Sequence, residues 1–308
     1  MFSDYTATEL GSIFAMQGFA GLILFAVFLL MALGLAIIFG QMGVINMAHG
    51  EFMILGAYMT YLTSNLFAEY LPGLFDAYFF VAIVVAFLAS AALGAFVEWA
   101  MIRRLYHRPL DTLLATWGLS LLMQQSYRSI FGAREVGVRI PDWMAGSFPV
   151  TDIVELPING LIVMLIAIGV TFCVYLLMFK SSWGRRVRAV VQNRPMAGAV
   201  GINTAKVDRM TFALGCGIAG IAGSAFTMIG STGPSAGQQY IVDTFLVVVF
   251  GGAASLLGTV ASAFSISQAQ STMEFFLGGS MAKVLTLMTV VIILMFRPQG
   301  LFTLKVRK

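Results

Sequence analysis

Asn46, His49 and Glu51 stand within six residues, in the block Gly40-Gln41-Met42-Gly43-Val44-Ile45-Asn46-Met47-Ala48-His49-Gly50-Glu51. Such side chains could ligate a metal or hydrogen-bond a polar solute. Metal ligation fails on spacing. His49 and Glu51 are two apart and do not share a helical face, and His107, the other histidine, lies in a different loop. Residues 13–39 before the block and 52–67 after it carry no charge. Asn, His and Glu are costly near hydrocarbon and there mark solute or ion pathways. Gly40, Gly43 and Gly50 allow the backbone to break, as in transporters whose interrupted helices line a cavity. The competing reading is a cytoplasmic loop whose polar residues cap two helices. The sequence leaves both open.

Enzymatic chemistry finds little support. There is no Gly-x-x-x-x-Gly-Lys-[Ser/Thr] phosphate loop, so ATP hydrolysis by that route is excluded. Ser120 and Ser265 sit in apolar runs without a nucleophile elbow. Cys173 and Cys216 also lie in apolar runs, without metal spacing, and read as small packing residues. Glu51, Glu98, Asp243 and Glu274 fall near the ends of apolar runs. They read as interfacial or paired charges, not as the coupling sites of a proton- or sodium-driven carrier. A channel or carrier is not excluded by composition. No cofactor or metal is expected on this chain.

The elements around these residues are membrane spans. The chain is 59% hydrophobic and 10% charged, with mean hydropathy +0.90. A soluble domain carries about 25% charged residues. An all-α polytopic bundle follows, read as one permease domain over 1–308. The basic residues cluster at Arg103, Arg104 and Arg108; at Lys180, Arg185, Arg186, Arg188, Arg194, Lys206 and Arg209; and at Arg297, Lys305, Arg307 and Lys308. Clusters between apolar runs are the positive-inside signature, so all three face the cytoplasm. Nothing favours nucleic acid: there is no stacking motif or unbroken basic tract. The N-terminus lacks a basic n-region, so the first run reads as a retained span.

Candidate spans are 13–39, 52–67, 77–102, 112–131, 157–179, 210–231, 242–257, 259–277 and 281–296. An even number must follow residue 209 if the last two basic clusters share a side. Nine crossings result, with the N-terminus outside and the C-terminus inside. Residues 242–257 are short and end near Gly251, Gly252 and Gly258, so eight spans plus a re-entrant element is the alternative. Residues 132–156 form the longest outside loop, with Trp143 and Phe148 as interfacial anchors. In the cytoplasmic segment 180–209, Val187, Val190 and Val191 lie on one helical face and Arg185, Arg186 and Arg188 on others. Pro195 suits the first turn of a second short helix, Gly201 its C-terminal cap, and Asn203 or Thr204 the cap of the next span. The pair either rests on anionic lipid or contacts a cytoplasmic partner.

The chain resembles the inner-membrane permeases of ABC importers for branched-chain amino acids and urea. The resemblance runs nearly end to end. It is carried by Gly43-Val44-Ile45-Asn46-Met47-Ala48-His49-Gly50-Glu51, by Glu98-Trp99 with Arg103 and Arg108-Pro109, and by Trp183-Gly184-Arg185-Arg186-Val187-Arg188-Ala189 with Gly201-Ile202-Asn203. Gly251-Gly252-Ala253-Ala254-Ser255-Leu256-Leu257-Gly258 and Arg297-Pro298-Gln299-Gly300-Leu301-Phe302 complete it. Asn46-Met47-Ala48-His49 and the stretch from Leu114 to Gln125 are most similar to the urea branch, so the resemblance implies urea or a similar small amide as the solute, with branched-chain amino acids as the alternative. The resemblance implies a bacterial inner-membrane subunit that pairs with a second, homologous permease. It also implies two cytoplasmic ATP-binding subunits, which hold the ATP and Mg, and an extracytoplasmic solute-binding protein. It makes 185–201 the ATPase-coupling segment. For urea, the path would need neutral donors and acceptors, for which Thr116, Gln124 and Gln125 on one span are candidates beside Asn46, His49 and Glu51. Thr116 and Gln124 are about 80° apart on an ideal helix. Interhelical hydrogen bonding is the other use of such residues.

Overall fold

The structure is a computed structural model. It describes residues 7–106, 108–151, 154–252, 255–297 and 300, without the side chains of residues 7–10 and 151. Asp4, His107, Asp152, Ala253, Ala254, Pro298, Gln299, Leu301, Phe302, Lys305, Arg307 and Lys308 lie outside the described residues.

Among the described residues, nine long helices overlap the nine apolar runs. They are α1 (Ala7–Met42), α2 (His49–Tyr70), α3 (Tyr78–Ala100), α4 (Pro109–Phe131), α5 (Ile158–Tyr175), α8 (Thr204–Phe226), α9 (Ala236–Gly251), α10 (Leu256–Leu277) and α11 (Gly279–Phe296). Two short helices, α6 (Ser182–Gln192) and α7 (Arg194–Ala199), occupy the basic segment before α8. Among the described residues, five stretches are apolar and long enough to cross a membrane by length and composition: Gly11–Met42, Pro72–Arg104, Ile158–Lys180, Thr204–Phe226 and Gly279–Phe296. α2, α4 and α10 fall outside that set because each carries a ladder of hydroxyl and amide side chains. α9, at 16 residues, is apolar but short.

Several expected bounds shift. α9 begins at Ala236, six residues before the apolar run at 242; in this added turn Gly237 is buried, while Gln238 and Gln239 are exposed. α8 ends at Phe226, so residues 227–231 are turn and not span. The all-α expectation also needs a local correction. Within the loop expected outside, β1 (Ser147–Thr151) pairs antiparallel with β2 (Val154–Pro157). Trp143 anchors that loop to protein. Its indole stacks on Phe80, and its Nε1 donates to the Asp76 carbonyl at 2.8 Å.

α8 is the hub. Nearly its whole circumference from Gly215 to Phe226 is buried. Lipid tails give apolar helices little reason to associate, so membrane helices gain by close backbone approach at small residues. Gly56 of α2 faces the Gly220 carbonyl, Gly223 faces the Met53 carbonyl, and Gly34 of α1 faces the Gly215 carbonyl; a Cβ at any of them would collide. Gly94 of α3 packs on Cys216 in the same way. Cys216 is the buried packing residue expected, whereas Cys173 is exposed. Thr60 and Ser224 add a hydroxyl contact of 2.7 Å between α2 and α8. α10 runs antiparallel to α1, shown by Gln17 on Ser271, Gln268 on the Gly18 carbonyl at 3.2 Å, and Phe25 on Phe264.

Candidate functional site

The block at 40–51 is a helix break inside the bundle. α1 continues through Gly40 to Met42, and the chain turns at Gly43, whose φ of +64° suits glycine. α2 then starts well within the protein. His49 Nε2 donates to the Met31 carbonyl at 3.2 Å, and Met31 lies three turns before the end of α1. That is about 16 Å along the axis at 1.5 Å per residue. Asn46, His49, Gly50 and Glu51 are all buried. The loop-end alternative, in which these residues cap helices at the surface, is therefore replaced by an interior start of α2.

Of the glycines expected to break the backbone, Gly43 and Gly252 (φ +90°) do so. Gly40, Gly50, Gly251 and Gly258 lie in helices instead. Gly50 is needed for close approach, because a Cβ there would meet the Gly237 carbonyl of α9. A Cβ at Gly251 would likewise meet the Gly258 carbonyl.

α4 lies against this start and keeps only one narrow stripe inside: Thr112, Thr116, Ser120, Met123 and Tyr127. The stripe makes a polar seam with α2. Thr116 Oγ1 accepts from the Met47 N–H at 3.1 Å, so it holds the turn. Ser120 Oγ and Gln124 Nε2 both donate to Glu51 Oε1, at 3.1 and 2.9 Å. The Tyr127 hydroxyl donates to the Glu51 carbonyl at 2.9 Å, and its ring lies 5.3 Å from that of Tyr58. Asn46 Oδ1 accepts from the Ala48 N–H at 3.1 Å. Gln125 departs from expectation: one residue further round α4, it is exposed and outside the seam. Ser120, Tyr127 and Tyr58 were not expected there. The four-residue spacing Thr112, Thr116, Ser120, Gln124 is the signal that points to Ser120.

The four span-end carboxylates separate. Glu98, 0% exposed, pairs with Arg103 at 3.2 Å and with Arg209 at 3.5 Å. Asp243 pairs with Lys283 at 2.7 Å, and Glu274 is exposed. Glu51 departs from the paired-or-interfacial expectation: it is 1% exposed and has no cation within ion-pair distance among the described residues.

At the other end of α3, the Glu98 cluster reaches the basic segment. The Tyr106 hydroxyl donates to Glu98 Oε1 at 2.9 Å. Burial, then the neighbouring Asp208 and Glu98 carboxylates, push that hydroxyl far above the usual tyrosine range, so it stays protonated and donating. Arg194, at the start of α7, pairs with Asp208 of α8 and sits 5.0 Å over the Tyr106 ring. α6 and α7 have the expected form. Ser181, Asn193 and Asn203 cap α6, α7 and α8 through side-chain oxygens, and Pro195 is in the first turn of α7. Gly201 (φ +86°) ends α7, and Ile202 N donates back to the Ala197 carbonyl at 3.0 Å. Val187 and Val190 are buried against Ala197 and Val207, whereas Val191 is exposed, contrary to expectation. Arg185 and Arg186 are exposed, and Arg188 turns back to the Met178 carbonyl.

Residues 18–295 match the family described as branched-chain amino acid transport system, permease component. The chain belongs to this family. The permease is 26% identical to the high-affinity branched-chain amino acid transport system permease protein BraD of Pseudomonas aeruginosa, over 91% of this chain and 93% of that one. It is 25% identical to the LivH permease protein of Escherichia coli (strain K12), over 94% and 95%. A shorter stretch, 28% of this chain and 23% of the relative, is 39% identical to the xylose transport system permease protein XylH of Haemophilus influenzae. No solved structure matches the chain. The permease is a multi-pass protein of the bacterial inner membrane and a transport subunit. BraD and LivH are both named for branched-chain amino acid transport, so the expected urea specificity finds no support among these relatives.

Proposed function

We propose that this permease is the membrane-spanning subunit of an ATP-driven importer of branched-chain amino acids. The observation that carries the reading is the family match over nearly the whole chain, with full-length relatives whose names state that solute. The partners are a second, homologous permease, two cytoplasmic ATP-binding subunits and an extracytoplasmic solute-binding protein. Nine helices cross, with the N-terminus outside and α6 and α7 in the cytoplasm beside the basic residues. The binding protein delivers solute outside, nucleotide turnover on the ATPases switches the bundle, and solute leaves inside. This chain makes and breaks no covalent bond.

Two features support how it works. The seam of α2 and α4 supplies polar groups beside an interrupted helix, the arrangement that lets a membrane bundle pass a hydrated solute. α6 and α7, the latter fastened to α3 and α8 through Arg194, Tyr106 and Glu98, leave Val191, Met196 and, just after α7, Val200 exposed on the outside of the chain, where an ATPase would dock.

The decisive experiment is uptake of labelled leucine and labelled urea by cells expressing all components, with and without this chain. Leucine uptake dependent on the chain supports the reading. Urea uptake without leucine uptake rejects it in favour of the urea branch that Asn46-Met47-Ala48-His49 resembles.

A further inference from the structure

Buried polar groups in a membrane bundle normally find partners, so the groups left over show what is missing. Glu51 Oε1 is held by Ser120 and Gln124, while Glu51 Oε2 is buried with no partner. The Tyr58 hydroxyl, two turns further along the same face of α2, is likewise buried and unpartnered. The first turn of α2 does not make up the deficit in the other direction. The N–H groups of Met47, Ala48, His49 and Glu51 are already bonded, to Thr116, Asn46 and Ala48. Asn46 Nδ2, a donor, is also buried without a partner, and the Tyr58 hydroxyl can donate or accept; the strongest free acceptor among these groups is the Glu51 carboxylate oxygen. Gly237 of α9 closes over the same carboxylate: a Cβ there would stand 3.1 Å from Glu51 Oε1, so glycine leaves room beside it.

We infer that Glu51 is the contact for the ammonium group of the solute as it passes between α2 and α4, and hence a specificity determinant of the permease. This rests on the amino acid reading above. An ammonium brings three donors and a positive charge, which matches one free carboxylate oxygen with a hydroxyl further along the seam. Ser120 and Gln124 are positioning residues, since each binds Oε1 and leaves Oε2 facing the vacancy in hydrogen bonding. A neutral amide would satisfy the acceptor but not the charge.

The test uses the complete importer in proteoliposomes and reads leucine delivered per ATP hydrolysed, normalised to assembled complex. Glu51→Gln keeps the shape and an acceptor for Ser120 and Gln124. It should lower leucine per ATP about tenfold or more, the scale of one charge-assisted contact, while binding-protein-stimulated ATP hydrolysis continues. Glu51→Asp should recover part of the loss, which a purely structural role would not predict. Wild-type leucine per ATP in Glu51→Gln overturns the inference and leaves the import of leucine standing. A wild-type importer that moves urea and no leucine overturns the solute reading and the inference with it. Should Glu51→Gln fail to assemble, labelling of wild-type Glu51 by a hydrophobic carbodiimide, read by peptide mass, takes its place. Slower labelling during leucine turnover supports the contact, and equal labelling with and without leucine overturns it.

Discussion

Gly56 and Gly220 show how little room single residues leave in this bundle. A methyl group at Gly56 would press on the Gly220 carbonyl, and backbone cannot rotate away as a side chain would. Gly56→Ala should therefore cost about 1–3 kcal/mol, the usual range for overpacking, seen as a lower thermal midpoint of the detergent-solubilised complex. Gly118→Ala, with nothing within 4 Å of the added methyl, is the control and should leave the midpoint unchanged. Gln124 answers a different question. Gln124→Leu removes one of the two donors to Glu51 Oε1. If the seam is the path, the barrier to solute rises by about 1–3 kcal/mol, which slows uptake roughly 5- to 150-fold. Assembly should persist, because a single interhelical hydrogen bond in a membrane contributes about 0.6 kcal/mol on average. Lost assembly with normal specific uptake would make Gln124 a packing residue only.

At the scale of elements, the question is how α7 is tied to the bundle. Its links are the Arg194–Asp208 pair, the Arg194 guanidinium over Tyr106, and the Tyr106 hydroxyl on buried Glu98. Tyr106→Phe keeps the ring under Arg194 and deletes only the hydroxyl. A lost hydrogen bond to a charged group is worth about 1.5–3 kcal/mol, so the thermal midpoint should drop. If the link transmits nucleotide turnover, solute moved per ATP should drop as well. Gly201→Val tests the other end of α7. Its φ of +86° is strained for a β-branched residue, at a cost of about 1–2 kcal/mol. Binding-protein-stimulated ATP hydrolysis should uncouple from uptake while membrane insertion stays normal. Intact coupling in Gly201→Val would return α6 and α7 to a lipid-surface role.

For the whole molecule, sidedness is the property everything else depends on. Ser147 in the β1–β2 hairpin and Val200 after α7 are both exposed, and the proposed orientation places them on opposite faces of the membrane. A cysteine at Ser147 should react with an impermeant thiol reagent added outside, and one at Val200 should react only after permeabilisation. Cys173, exposed on α5, is first replaced by serine so that the signal has one source. Reversed labelling would invert the topology and with it the direction assigned to transport.

The sequence by itself determined what composition and local patterning control. Long apolar runs can only be helices in hydrocarbon, because every backbone hydrogen bond must be made internally. The approximate positions of the long helices were therefore legible, as were the caps at Ser181, Asn193 and Asn203 and the turn at Gly201, which rest on contacts a few residues apart. The apolar character of α2, α4 and α10 misled only in degree, since most of their hydroxyls bond carbonyls three or four residues back in the same helix, as at Thr60, Thr63, Ser126, Ser265 and Thr272. Tertiary structure alone decided which glycines are turns and which are contacts: Gly43 and Gly50 read alike in sequence, yet one needs a positive φ and the other faces the Gly237 carbonyl of α9. It also decided that Glu51, unlike Glu98 and Asp243, has no cation within ion-pair distance among the described residues, and that Gln124 and not Gln125 reaches it. Whether a buried charge is paired depends on which helices meet at that depth, and that is settled by backbone packing around α8, not by spacing along the chain.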